Sequence, residues 1–437
     1  MGYVLPEEQK ELLEDKMDQG FSKEEAAELL RVMSIEDEMD DELREILQRT
    51  DSTSIPRENK IAVPEAMATV KDYVGKIYGY IRPDSGYHCI LGWDGNMPIP
   101  ELKTSCIGAV EAAGPESVGP WIRGVHDESG ALTFFIVEGG METPIHSEPY
   151  ALQQEIFSRN AGLMESDWMR NKCVIISGCG SVGGTMALQL ARSGVGKFVL
   201  VDSDCVEIHN ICRHCCNLTD LGRYKVDAVA DRILQINPNA EIRKFRSLIQ
   251  DVCLDDYADW LSPRDALFIG TCDNRIGNAY ANDIAISVGA PFLSLGFMAR
   301  AWGGEIFIFL PERHDVCYRC AFRNQIDRAV RAEHLLNYMD ADDVGRVTVE
   351  PGLDVDLEYG ISLADKIVLD IINRYNSDYR FRILNTLTQF TVFSGTADRT
   401  GIEEGWSKML EKPLDYKRIG IRSSLRRSDC PYCKRFL

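Results

Sequence analysis

A doubly wound, mostly parallel α/β sheet is the fold class this sequence predicts, and three observations predict it. From residue 172 onward short apolar runs alternate with amphipathic segments: CVIISG, KFVLVDSD, EIRKF, ALFIGTCD and PFLSLGF are separated by stretches such as YKVDAVADRILQIN. Gly178, Gly180 and Gly183 form a GxGxxG turn between the first of these strands and a helical pattern, MALQLARSG, and the next strand ends at Asp202. That is one βαβ unit with an acidic residue at its end. Finally, 437 residues at 45% hydrophobic content are enough for two or three domains with cores of their own.

In chain order, residues 1–50 read as an acidic helical module, in which Ser22 and Glu25 of FSKEEAAELL make a capping box. The polar run QRTDSTSIPREN follows as a linker. Residues 51–148 read as a small α+β module: YHCILGWDG, WIRGVHD and ALTFFIVEGG have strand character, and DESG turns between the last two. It carries no interpretable motif, and partner or substrate recognition is the role expected of it. Residues 149–437 hold the sheet, to which GGEIFIFL and RILNTLTQFTVF add antiparallel strands at one edge.

The formal charge is −20, and residues 1–50 hold about half of it, with 16 acidic against 6 basic residues. Phosphate backbones are bound through clusters of Lys and Arg, and no such stripe occurs, so a nucleic-acid partner is not expected. No apolar run reaches the roughly 20 residues that cross a bilayer, and the N-terminus lacks a basic start and an apolar core. A cytoplasmic protein with no membrane partner is expected.

Fourteen cysteines are present. Two CxxC pairs stand out, CYRC with Cys317 and Cys320 and CPYC with Cys430 and Cys433. Four thiolates suit tetrahedral zinc, and in a reducing cytoplasm such pairs read as one structural Zn²⁺ site.

The glycine turn and Asp202 suit NAD and ATP equally: the glycines admit phosphate to the backbone, and the carboxylate accepts a ribose hydroxyl. Downstream residues decide. Asp204, Asn210 and Arg213 follow in VDSDCVEIHNICRH, Lys225 in GRYK and Asp273 in FIGTCDN. A dehydrogenase has no use for this set. Arg213 and Lys225 neutralise polyphosphate, and Asp273 at a strand end holds Mg²⁺, which makes this an ATP site. HNICRHCC also has the composition of a metal cluster, but its place directly after the DxD pair assigns it to the nucleotide site.

Over roughly residues 155–437 the sequence resembles the ThiF/MoeB family of adenylyltransferases, relatives of the ubiquitin-activating enzymes. The likeness runs through the nucleotide loop, the DxD pair, NICR, the helix ending in INP, CDN, GGEIFIF before CYRC, and the closing CPYC. The resemblance implies a Rossmann-like domain that binds ATP, Mg²⁺ and Zn²⁺. It implies adenylation of the C-terminal carboxylate of a small ubiquitin-like or sulfur-carrier protein, with Asn274 among the nucleotide contacts. IFSRNAGL corresponds to a family segment in which Arg159 would be the arginine finger that each subunit of a homodimer lends its neighbour.

Three departures from the family pattern stand out. Asn278 occupies the position of a usual arginine, five residues after Asp273. His214 replaces a glutamine and reads as a hydrogen-bonded structural histidine. Thr348 stands where thioester-forming relatives have cysteine, and no cysteine lies between Cys320 and Cys430, so no thioester is expected through that loop. Within the same chemistry, a peptide-modifying adenylyltransferase resembling the microcin-maturing enzymes is the alternative. A pseudoenzyme scaffold is the non-catalytic reading, and acidity disfavours the tRNA-modifying dehydratases of the family.

Overall fold

The computed structural model describes residues 59–97, 104–112, 114, 119–327, 352–398, 410 and 412–437. The acidic helical module expected over 1–50 and the loop around Thr348 lie outside them. Residues 1–59 and 82–86 make up one unit, of which the described part is Asn59 and a turn closed by Gly86 N donating to Arg82 O at 3.0 Å. Lys60–Ile81 and Tyr87–Leu437 make up the other.

In that second unit, seven strands close into a barrel: β1 (Lys60–Pro64), β2 (Gly75–Tyr80), β3 (Tyr87–Trp93), β4 (Ser105–Val110), β5 (Trp121–His126), β6 (Leu132–Glu138) and β7 (Met141–Tyr150). The order is β1-β3-β2-β4-β5-β6-β7, and β1 pairs in parallel with β7 to close the ring. Alternating side chains fill the centre, with Ile61, Ile77, Ile90, Ile122 and Phe134 buried together. The strands expected at YHCILGWDG, WIRGVHD and ALTFFIVEGG are β3, β5 and β6. Among the described residues of the module these strands form a barrel, with one four-residue helix, α1 (Glu65–Ala68).

The remainder is an eight-stranded sheet in the order β10-β9-β8-β11-β12-β13-β14-β15. Its parallel part is β8 (Cys173–Ser177), β9 (Lys197–Val201), β10 (Glu241–Phe245), β11 (Ala266–Gly270) and β12 (Phe292–Phe297), matching the five expected strands. β13 (Gly303–Phe309), β14 (Phe390–Ser394) and β15 (Asp415–Ile419) continue it antiparallel, the first two as expected.

Successive strand residues face opposite cores. Val174, Ile176, Phe198, Leu200, Leu267 and Ile269 pack against α2 (Ser181–Arg192), α3 (Lys225–Ile236) and α6 (Asp354–Ile372). Ile175, Val199, Phe268 and Phe292 pack against α4 (Arg275–Ser287) on the other face, beside the short helix α5 (Tyr318–Ala321). Strands buried on both sides must be apolar throughout, which is why CVIIS and KFVLV show no alternation. The strand order reverses between β8 and β11. Open α/β sheets leave a crevice for ligand at such a point, beyond the carboxyl ends of the strands.

Candidate functional site

The loops leaving β8, β9 and β11 meet at that crevice. Gly178 takes φ +98°, and any Cβ there would lie 2.9 Å from Thr271 O. A Cβ on Gly183 would lie 1.9 Å from Gly178 O and 2.5 Å from Thr271 Oγ1. The turn therefore closes onto α2 only with glycine at both positions. Gly180, by contrast, caps α2 with no atom within 4 Å of its Cβ position, which leaves room beside the helix start, where the first backbone N–H groups have no intrahelical partner.

Asp202 shapes this turn. Its Oδ2 accepts from Cys179 N at 2.7 Å and its Oδ1 from Asp204 N at 2.8 Å, leaving each oxygen a further lone pair. Burial pushes its carboxyl up, against those hydrogen bonds and the charge of Lys225. Lys225 is the first residue of α3, and its Nζ meets Asp204 Oδ2 at 2.8 Å. Burial opposes its charge, but Asp204, Asp202 and Asp273 together hold its pKa above the ordinary lysine value. Asp273, after β11, is exposed, and no hydrogen bond or ion pair among the described residues engages its carboxylate.

Other residues expected at the site carry bonds of their own. Asn210 Oδ1 accepts from Glu207 N at 2.9 Å, closing a capping box on a 3₁₀ turn. Asn274 caps α4 by accepting from Gly277 N at 2.8 Å. Arg213 is half-buried, with an Nη1 close to Gly352. His214 is buried and bonded at both ring nitrogens, to Cys179 O at 2.9 Å and Cys216 N at 3.1 Å. Asn278 is 5% exposed and pairs with both backbone groups of Cys272, accepting from N at 3.2 Å and donating to O at 3.3 Å.

Arg159 is not brought to this crevice within one chain. It is exposed on the 3₁₀ turn Ser158–Asn160, and neighbouring Asn160 donates to Arg192 O at 3.0 Å. Arg192 ends α2, a helix of 12 residues or about 18 Å, whose other end is the glycine turn.

Sequence reasoning missed Thr271. Its Oγ1 donates to Gly178 O at 2.7 Å and so locks the turn from a strand 93 residues away. Arg275 was missed too, and it is committed to Glu305 at 2.7 Å and Tyr318 at 3.0 Å.

Far along the chain, Cys317, Cys320, Cys430 and Cys433 bring their sulfurs within 4.8 Å of one another. Cys317 Sγ lies 3.6 Å from Cys430 Sγ, close to the edge of a tetrahedron with metal–sulfur bonds of about 2.3 Å. The four sulfurs suit a tetrahedral metal ion.

Residues 152–351 match the ThiF family. That segment is what the chain shares with the family. Its relatives include the sulfur carrier protein ThiS adenylyltransferase of Escherichia coli, 28% identical over 34% of this chain and 57% of that one. The adenylyltransferase and sulfurtransferase MOCS3 of Sus scrofa is 31% identical over 40% of this chain and 36% of its own length. The tRNA threonylcarbamoyladenosine dehydratase of Bacillus subtilis is 36% identical over 24% and 42%. The matches thus span less than two thirds of these curated relatives. Among solved structures, E. coli MccB with succinimide aligns at 17% identity and TM-score 0.45, covering 64% of this chain and 74% of that one. The matched segment begins at residue 152, after the last barrel strand. No described helix is long and apolar enough to cross a membrane.

Proposed function

We propose that this chain is an ATP-dependent adenylyltransferase acting on the C-terminal carboxylate of a small ubiquitin-like or sulfur-carrier protein. The observation that carries the reading is the convergence at the switch point. The glycine turn, the partly buried Asp202, Asp273 and a lysine whose charge Asp204, Asp202 and Asp273 favour all lie on or beside the loops that leave β8, β9 and β11. The adenylyltransferase names of its relatives support the same reaction.

In this reading the N–H groups at the start of α2 receive phosphate oxygens and Asp202 receives the ribose. Asp273 would hold Mg²⁺, which shields phosphate charge when bound. The substrate carboxylate attacks the α-phosphorus of ATP; the new C–O–P linkage forms as the α–β phosphoanhydride breaks, and pyrophosphate leaves. The nucleophile is already ionised, so no general base is needed. Lys225 and Arg213 stabilise the charge that builds during transfer, and Arg159 is supplied by the second subunit of a homodimer. Zn²⁺ in the four-cysteine cluster ties the C-terminal tail to the end of the sheet. Without a cysteine between Cys320 and Cys430, the product of the site is the adenylate itself.

The test is ATP–pyrophosphate exchange with a small carrier ending in a free carboxylate. Exchange is expected with the carrier and not with its C-terminally amidated form, and Lys225→Met or Asp273→Asn should lower it on the order of a hundredfold or more. Exchange supported only by a short precursor peptide would move the substrate to that class. Absence of exchange with any carboxylate, together with tight NAD binding, would overturn the reading.

A further inference from the structure

Just behind the glycine turn, His214, Cys215 and Cys216 place one ring nitrogen and two sulfurs within 4.8 Å of one another. His214 and Cys216 are buried and Cys215 half-buried. Two hydrogen bonds fix the state of the imidazole. The backbone N–H of Cys216 can only donate, so Nδ1, 3.1 Å away, is an acceptor and carries a lone pair. The proton therefore sits on Nε2, which donates to Cys179 O at 2.9 Å. A metal-ligating histidine needs this arrangement: a bare nitrogen toward the ion, and the other N–H held by a carbonyl that orients the ring and raises its basicity. The sulfur of Cys215 already lies 3.8 Å from Nδ1, against about 3.5 Å for nitrogen and sulfur on one tetrahedral zinc.

We infer that His214 Nδ1, Cys215 Sγ and Cys216 Sγ form a second metal site, for a thiophilic d¹⁰ ion, Zn²⁺ or Cu⁺. Two thiolates with one imidazole select these ions over Mg²⁺ or Ca²⁺, which take oxygen ligands. Binding breaks two S–H bonds and releases two protons, and the ion takes the Nδ1 lone pair in place of the Cys216 N–H. Three protein ligands leave a fourth position open. The site touches the nucleotide loop from behind. The Cβ position of Gly184, in the first turn of α2, lies 2.9 Å from Cys215 Sγ, and the His214 ring holds the carbonyl of Cys179, between Gly178 and Gly180. An ion here would fix the segment 214–216 against that turn, coupling metal status to the shape of the cradle.

The experiment is a titration of the full-length, reduced, metal-stripped protein with Co²⁺ as the optical probe, counting equivalents that give thiolate charge-transfer and tetrahedral ligand-field absorption. Cys430→Ser/Cys433→Ser protein reads the His214 site by itself. One equivalent is expected there, whether or not the tail cluster binds metal, and none overturns the inference. Cys215→Ser/Cys216→Ser should bind one equivalent fewer than the unmodified chain, and an unchanged count refutes the site. His214→Gln keeps both sulfurs and is the check should the double variant fail to fold: its absorption should lose the nitrogen contribution and its affinity fall at least tenfold, and an unchanged spectrum excludes the imidazole. Displacement of Co²⁺ by buffered Zn²⁺ and by chelator-buffered Cu⁺ then ranks the two ions.

Discussion

Replacing Gly183 and Gly180 by alanine, one at a time, separates the two tasks of the glycine turn. At 183 the new Cβ would meet Gly178 O at 1.9 Å and Thr271 Oγ1 at 2.5 Å. Neither can retreat freely. Gly178 N is bonded to Val201 O at 2.9 Å, and Thr271 Oγ1 holds Gly178 O itself. Alanine gains about 1 kcal/mol as the better helix former. Forced overpacking costs about 1–3 kcal/mol, and losing the Thr271 hydrogen bond about 1 kcal/mol more. The net is a destabilisation of about 1–3 kcal/mol, or a fall in Tm of roughly 2–12 °C for a domain of this size. At 180 the backbone sits at φ −71°, ψ −160°, which any residue adopts, and nothing lies within 4 Å of the Cβ position. Gly180→Ala should therefore shift stability by no more than about 0.5 kcal/mol. The methyl nevertheless enters the space assigned to phosphate, where a displacement of about 1 Å costs roughly a hundredfold in rate. Thermal unfolding beside pyrophosphate exchange reads both. A Gly183→Ala protein with unchanged Tm refutes the packing argument, and a Gly180→Ala protein with full exchange refutes the placement of the phosphates.

Three further outcomes are expected. Arg159→Ala and Asp273→Ala proteins, each inactive, should regain part of the exchange activity when mixed, because one intact site forms per heterodimer; no recovery despite demonstrated subunit exchange would exclude shared sites. Cys430→Ser/Cys433→Ser should lose one zinc per chain by elemental analysis and unfold at a lower temperature, and undiminished zinc would place the ion elsewhere. The Lys225–Asp204 pair should be visible in the pH dependence of unfolding. The folded pKa of Lys225 is raised, so its contribution is complete below the ordinary lysine value of 10.5 and is lost as pH rises through the raised value. The stability difference between wild type and Lys225→Met should accordingly stay level up to about pH 10 and shrink above it, and a level difference throughout would remove the pair from the ledger.

What was legible in the sequence followed from how local each signal is. β8, β9 and β11 are buried on both faces, so they announce themselves as unbroken apolar runs. The polar edge strand β15, DYKRI, is largely exposed and gives no such signal. Closure of the barrel rests on Lys60 pairing with His146, a contact no spacing rule reveals, although the alternation inside each strand was readable. The glycines and Asp202 could be found because one βαβ unit contains them all. Thr271 could not: its bond to Gly178 O spans 93 residues and follows from strand order, which brings β11 beside β8. The His214 bonds were foreseen in kind, but their partner, Cys179 O, belongs to the sheet's topology.

The asparagine at 278 looks in the sequence like a lost cation, and the structure gives it a different meaning. Asn274, Asn278 and Asn282 recur at four-residue intervals along α4 and so share one face. Each uses its amide on a different partner. Asn274 caps the helix, Asn278 braces both backbone groups of Cys272, and Asn282 accepts from Tyr318 N at 2.9 Å. Tyr318 stands between Cys317 and Cys320, and the next residue, Arg319, meets Asp283, the next residue of the helix, at 2.5 Å. The helix is thus a spar of 13 residues, about 20 Å, with the loop of Asp273 fastened near one end and the four-cysteine cluster near the other. An arginine at 278 could not occupy this buried slot and brace Cys272 while also reaching outward to a phosphate. The site therefore exchanges a positive charge for a fixed Asp273 loop. On the proposed reaction, the charge that builds on the phosphates then falls to Lys225 and Arg213 and to the Arg159 of a second copy. Loosening the four-cysteine cluster would be felt at Asp273 through the same helix.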